Sequence, residues 1–311
     1  MSTSVGSAFR QGFRLARRER GAVWILFTAN LALAAIAALP IYRGILEFTG
    51  HSLIGNGLAS GFSPDWFVDF SFNNPGALER YASLIMNVGF LALPVNAVLA
   101  GGVLARFRAQ AQPFSVRGYF RDSYHFAWPM LRLMLIGLIC YWIVFRILNV
   151  WLWKFADQRT LNTLDDRVYF WFHLGVRILL ILGLALVNLV MDFAQVRLVL
   201  VEGTTALEAF LSSRGFAITH LPRAILVYTL PSAAGLLLLF VYRLVVPWQI
   251  VNSAVGTGRE ASWQVLPALA LLFIGQQVVI FGRYWFRVAT WASEWSYYEG
   301  FRSHAGPDSA P

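Results

Sequence analysis

Apolar and polar positions alternate along this chain on a long scale: extended apolar runs are separated by short polar connections. Six runs reach the roughly 20 residues that cross a bilayer. They are Ala22–Tyr42, Tyr81–Leu104, Pro129–Trp151, Phe172–Asp192, Ala224–Val246 and Gln264–Phe286. Within lipid, backbone N–H and C=O groups must be satisfied inside their own segment, so these runs predict helices. The first run is longer than a signal-peptide core of about 7–15 residues, which makes it an uncleaved anchor. The expected fold is all-α: a polytopic membrane bundle of six transmembrane helices.

A second, shorter pattern precedes every other run. In Ser7–Arg20 the residues Phe9, Phe13 and Ala16 fall on one side, with arginines elsewhere. In Ser115–Phe126 the helical spacing picks out Val116, Tyr119 and Phe120, and in Thr205–Ile218 it picks out Leu207, Phe210, Leu211 and Ile218. Periods of three and four residues predict short amphipathic helices, with Val116–Phe126 and Ala206–Ile218 lying nearly parallel to the bilayer and their arginines toward head groups. Thr205-x-x-Glu208 is a capping box. Flanking residues repeat at a near-constant step, Asn96 to Asn188, Phe126 to Phe216 and Arg132 to Arg223, which points to a parallel repeat of elbow plus hairpin.

The longest connection, Gly44 to Arg80, carries its own start signal at Ser63-Pro64-Asp65 and a breaker at Asn74-Pro75. Trp66, Phe67, Phe70 and Phe72 between them mark an interfacial helix. The resulting organisation is an N-terminal elbow over residues 1–21, a transmembrane domain over 22–292 and a tail over 293–311.

Composition sharpens this picture. Only 13% of residues are charged against 58% hydrophobic, and mean hydropathy is +0.58. Soluble domains carry about 25% charge, so disorder, a coiled coil and an ordinary soluble enzyme are excluded. The net charge of +9 would point to nucleic acid in a soluble protein. Here the basic residues, all Arg except Lys154, flank the runs asymmetrically. The ends before the first, third and fifth runs hold 12, the opposite connections 6. The positive-inside bias therefore places both termini in the cytoplasm and accounts for the charge without nucleic acid. A single cysteine, Cys140, excludes a disulfide within the chain.

Chemistry is sparse. No phosphate loop, no H-E-x-x-H helix and no G-x-S-x-G elbow occurs. The five histidines lack metal-ligand spacing, so no metal, cofactor or catalytic residue is expected. What remains is a set of charges at membrane depth: Arg132, Asp192, Arg197, Arg283 and Arg287, with Glu294 beyond. Such charges pair or face a cavity. Asp192 is too short to reach water from within a span, which predicts an ion pair with Arg132, Arg283 or Arg287. The alternative is recognition of an anionic lipid head group by the surplus arginines.

Several segments form a series: Asn30-Leu31-x-Leu-Ala, His51-Ser52, Gly61-Phe62-x-x-Asp65-Trp66, Ala100-Gly101-Gly102-Val103-Leu104 and Asp192-Phe193-Ala194-x-Val196-Arg197. Through them the chain resembles uncharacterised bacterial six-span proteins, similar in turn to the membrane domains attached to some glycerophosphodiester phosphodiesterases. The resemblance implies a bacterial inner membrane and no particular reaction, since no phosphodiesterase domain accompanies these spans. The functional expectation is a non-enzymatic protein that organises or senses anionic lipid, or scaffolds a membrane protein partner. The competing expectation is a transporter or permease subunit, for which Pro94 and Pro231 within spans argue.

Overall fold

The computed structural model describes residues 4–50, 64–109, 112–161, 165–201, 203–245 and 265–305, and among these every regular element is helical. Helices α1 (Val5–Arg18), α2 (Arg20–Thr49), α3 (Pro64–Asn73) and α4 (Ala77–Arg108) come first. Then α5 (Val116–Trp142) passes through a π-helical stretch, Ile143–Leu148, into α6 (Asn149–Thr160). The chain continues with α7 (Asp166–Leu200), α8 (Ala206–Thr219), α9 (Leu221–Val245) and α10 (Val265–Ala305).

Five helical stretches are long and apolar enough to cross a membrane: Arg20–Thr49, Ala77–Arg108, Val116–Thr160, Asp166–Leu200 and Leu221–Leu244. They contain the first four apolar runs and the fifth as far as Leu244. The sixth run falls at the start of α10, and Gln264 and Ser63 lie outside the described residues. Helix α3 begins on Pro64, where the missing N–H costs nothing, and ends just before Asn74-Pro75.

The elbows divide into two kinds. Helices α1 and α8 are separate elements, each ended by one non-helical residue, Glu19 (φ −91°, ψ 36°) and His220 (φ −115°, ψ 25°). Thr205 caps α8 as expected, its Oγ1 accepting from Glu208 N at 3.2 Å. Val116–Phe126, by contrast, is not a separate elbow: α5 runs unbroken from Val116 through Pro129 to Trp142. The reason is local. After His220 comes Leu221-Pro222, a proline suited to the first turn of a new helix, where its missing N–H breaks no helical bond. Ser115 caps the beginning of α5, and no capping residue interrupts it before the span.

The chain forms two compact units. The first comprises residues 1–19, 97–231 and 288–311, the second residues 20–96 and 232–287. In the first unit, each helix that follows a polar connection packs on the C-terminal part of a long helix. Helix α1 buries Ala8, Gly12 and Ala16, and Gly12 meets α10, where a Cβ on it would overlap Ser293 Oγ and lie 2.6 Å from its backbone nitrogen. Helix α5 presents Tyr119 and Ser123 to Gly102 of α4, and Phe216 of α8 meets Phe193 of α7 edge-on at 5.4 Å. The small residues permit close approach of backbones, which is how helices associate where lipid removes the hydrophobic drive.

In the second unit, Asn30 of α2 and Asn96 of α4 exchange hydrogen bonds of 2.8 and 3.0 Å. Phe70 of α3 is buried against Phe48 and Tyr81, with Trp66 stacked on it at 5.1 Å.

Candidate functional site

The C-terminal parts of α4, α7 and α10 in the first unit, together with α1 and α8, enclose a layer of buried polar and charged groups. Its residues are Glu19, Arg106, Asp192, Arg197 and Glu294, none of them more than 8% exposed. A charge so placed must be neutralised or hydrogen-bonded, since burial without a partner costs several kcal/mol. The contacts meet that demand for Glu19, Arg106, Asp192 and Arg197. Arg106 Nε lies 3.1 Å from Glu19 Oε2, and Arg18 Nε lies 3.3 Å from the other carboxylate oxygen. Arg106 also donates to the Gln112 carbonyl at 2.9 Å, tying the α4–α5 connection to the end of α1. On α7, Asp192 Oδ1 accepts from Trp291 Nε1 at 3.4 Å, and Arg197 Nη1 donates to the Tyr298 hydroxyl at 2.8 Å.

Aromatic rings close the layer. Phe107 meets Trp295 edge-on at 6.1 Å, and Phe216 sits among Phe193, Tyr297, Tyr298 and Phe301. Burial pushes the Tyr297 hydroxyl above its ordinary pKa, and the Arg223 guanidinium bonded to it opposes that rise. It therefore remains a neutral hydroxyl in the physiological range. Arg302 Nη1 reaches the Leu200 carbonyl at 3.4 Å, satisfying an acceptor at the end of α7.

The residues singled out from sequence separate into three environments. Asp192 and Arg197 belong to the buried layer. Arg132 does not: it is exposed on α5, its guanidinium 5.0 Å over the Trp128 ring on the same helix. Of the three partners anticipated for Asp192, Arg132 is therefore not the one: its guanidinium rests on the ring four positions away while Asp192 is buried. Arg283 is exposed and Arg287 half-buried, both on the part of α10 that belongs to the second unit. Residue 293 onward, read from sequence as a tail, continues α10 to Ala305 and is buried through Tyr298.

Sequence reading missed Glu19 and Arg106 as partners. The available signal was Glu19 itself, the one acid among five arginines before the first run. An acid set among cations beside an apolar run is placed to pair with one of them or with a cation on another helix. Arg106 was legible only as one more flanking cation.

Comparison with protein-family models, with curated proteins and with solved structures gives no match. The site is therefore read from its own chemistry.

Proposed function

We propose that the chain is a six-span, non-enzymatic protein of a bacterial inner membrane, with both termini in the cytoplasm, that organises or senses anionic lipid beside a partner protein. One observation carries this reading. Buried Glu19 and Arg106 engage one another, Asp192 takes a ring N–H and Arg197 a hydroxyl, so these four charges act as a structural clamp. The arginines that remain available are on exposed helix faces. Short interfacial helices at the start of the hairpins, α1 and α8, then hold the bundle at the head-group level.

The elbow-plus-hairpin repeat belongs to the same proposal. Gly12 and Ser123 occupy matching close-packed positions, and Asn30 and Tyr141 supply matching partners to Asn96 and Asn188. Both steps are 111 residues. The transport reading draws less support, since α4 passes through Pro94 and α9 through Pro231 without the broken helix that a midplane site would use.

The test is twofold. A fluorescent reporter fused at Pro311 is expected to be active and alkaline phosphatase inactive; phosphatase activity there overturns the orientation. Mass spectrometry of the protein released from native membranes is expected to show retained anionic phospholipid. Recovery with zwitterionic lipid alone overturns the lipid role.

A further inference from the structure

Helix α5 carries a surface that suits neither water nor hydrocarbon. At about 100° per residue, Val116, Phe120, Tyr124, Arg117, Trp128 and Arg121 share one side of the start of the helix, turned about 120° from the buried Tyr119, Ser123 and Met130. Tyr124 is 84% exposed, Trp128 62%, and the Arg121 side chain 81%. Large aromatic groups this exposed are disfavoured in water, while guanidinium groups interleaved with them are disfavoured in hydrocarbon. Only the head-group zone satisfies both.

Charge narrows the occupant further. Arg117 and Arg121 are one turn apart, a like-charge i,i+4 pair that repels unless an anion lies between. Asp122 Oδ1 lies 3.5 Å from Arg121 Nε, one acid beside two arginines. Arg132, stacked over Trp128, adds a third guanidinium at the end of the strip. The corresponding exposed face of α8 (Leu207, Leu211, Ile218) carries one arginine, Arg214, so α5 is the more strongly basic of the two.

We infer that this face of α5, from Val116 to Arg132, binds the phosphate head group of an anionic phospholipid, with Arg117 and Arg121 on the phosphate and Phe120, Tyr124 and Trp128 among the upper acyl carbons. Arginine matches a phosphodiester in geometry as well as charge. The inference rests on the lipid-organising reading above and names where that lipid sits.

The experiment uses the full chain in neutral detergent, titrated with phosphatidylglycerol or phosphatidylcholine and read by native mass spectrometry. Wild type is expected to prefer phosphatidylglycerol at least tenfold. The double substitution Arg117→Gln/Arg121→Gln is expected to weaken that binding about thirtyfold, at roughly fivefold per basic residue near a membrane surface. Arg117→Lys/Arg121→Lys should recover most of the electrostatic part. Arg146→Gln, in the π-helical stretch beyond the end of α5, should leave it unchanged. If the glutamine variant binds as wild type does, the α5 site is wrong while the lipid reading stands. If wild type shows no preference for phosphatidylglycerol, the lipid reading fails and this site with it. If millimolar inorganic phosphate displaces the lipid completely, the face is a free-anion site and the lipid assignment is overturned. The substituted side chains are exposed, and an unchanged melting temperature verifies that each variant is folded.

Discussion

Two long-range polar contacts, one in each unit, solve the same problem differently. In the second unit Asn30 and Asn96 meet as neutral amides, and each Nδ2 also donates to the carbonyl four residues earlier, Leu26 at 2.9 Å and Ala92 at 2.8 Å. Every amide hydrogen is used, no charge is desolvated, and the pair is complete in itself. In the first unit Glu19 and Arg106 meet as ions, and completion requires third parties: Arg18 and the Gln112 carbonyl. The difference teaches where each device belongs. A reciprocal amide pair can join two spans at modest gain, about 0.6–1.7 kcal/mol. A buried ion pair contributes little net stability while intact, yet its disruption is severe. It therefore acts as a registration device at a chain break, where Glu19 ends α1 and Arg20 begins α2.

The comparison can be broken most forcefully at Glu19. Glu19→Ala leaves the Arg106 charge buried without its carboxylate, and unfolding in detergent should show a loss of about 3–5 kcal/mol. Glu19→Leu combined with Arg106→Met should recover much of that loss. If the double variant is no more stable than the single, the pair is not coupled as described.

Close packing in the same unit gives the next effect. Gly12→Val forces a side chain into the backbone of Ser293 and should cost about 1–3 kcal/mol or more. Gly102→Ala should cost less, because its close neighbours are side-chain atoms, Ser123 Oγ and the Tyr119 ring, rather than backbone. Equal melting temperatures for the two glycine variants would contradict the distinction between backbone and side-chain contact.

Asp192→Ala removes the acceptor of the Trp291 indole N–H and opens the layer on α7. A buried donor left without its acceptor costs about 1–3 kcal/mol. The same substitution at exposed Asp166 should be nearly silent in a thermal melt. The smallest effect belongs to the amide pair. Asn96→Ala should cost about 1 kcal/mol, and Asn30→Ala added to it almost nothing further, since the partner is already gone. Additive losses in that cycle would mean the two amides act independently.

The spans were legible because hydrophobicity sums over a local window, and Pro64 and Thr205 because a helix start is written in a few adjacent residues. The continuity of α5 was less so. A mixed apolar and basic stretch looks the same whether it ends in a bend or flows into the next span, and Pro129, the nearest breaker, lies inside the continuous helix. The candidate site was only half legible. Asp192 and Arg197 stood out because charge at that depth is costly, but their partners did not. Trp291 and Tyr298 carry polar edges on apolar bodies and read equally well as belt residues.

The sequence by itself determined that the chain is helical, that it holds several membrane-length apolar segments and that its charge is overwhelmingly arginine. Those properties follow from composition and short-range period, which need no knowledge of distant contacts. Tertiary structure alone decided that Glu19 meets Arg106 across 87 positions, that Asp192 takes an indole N–H and that Arg132 stays outside on Trp128. Pairing of buried charges depends on which helix faces converge. A helix face is specified locally, whereas its convergence with another is fixed only when the whole bundle packs.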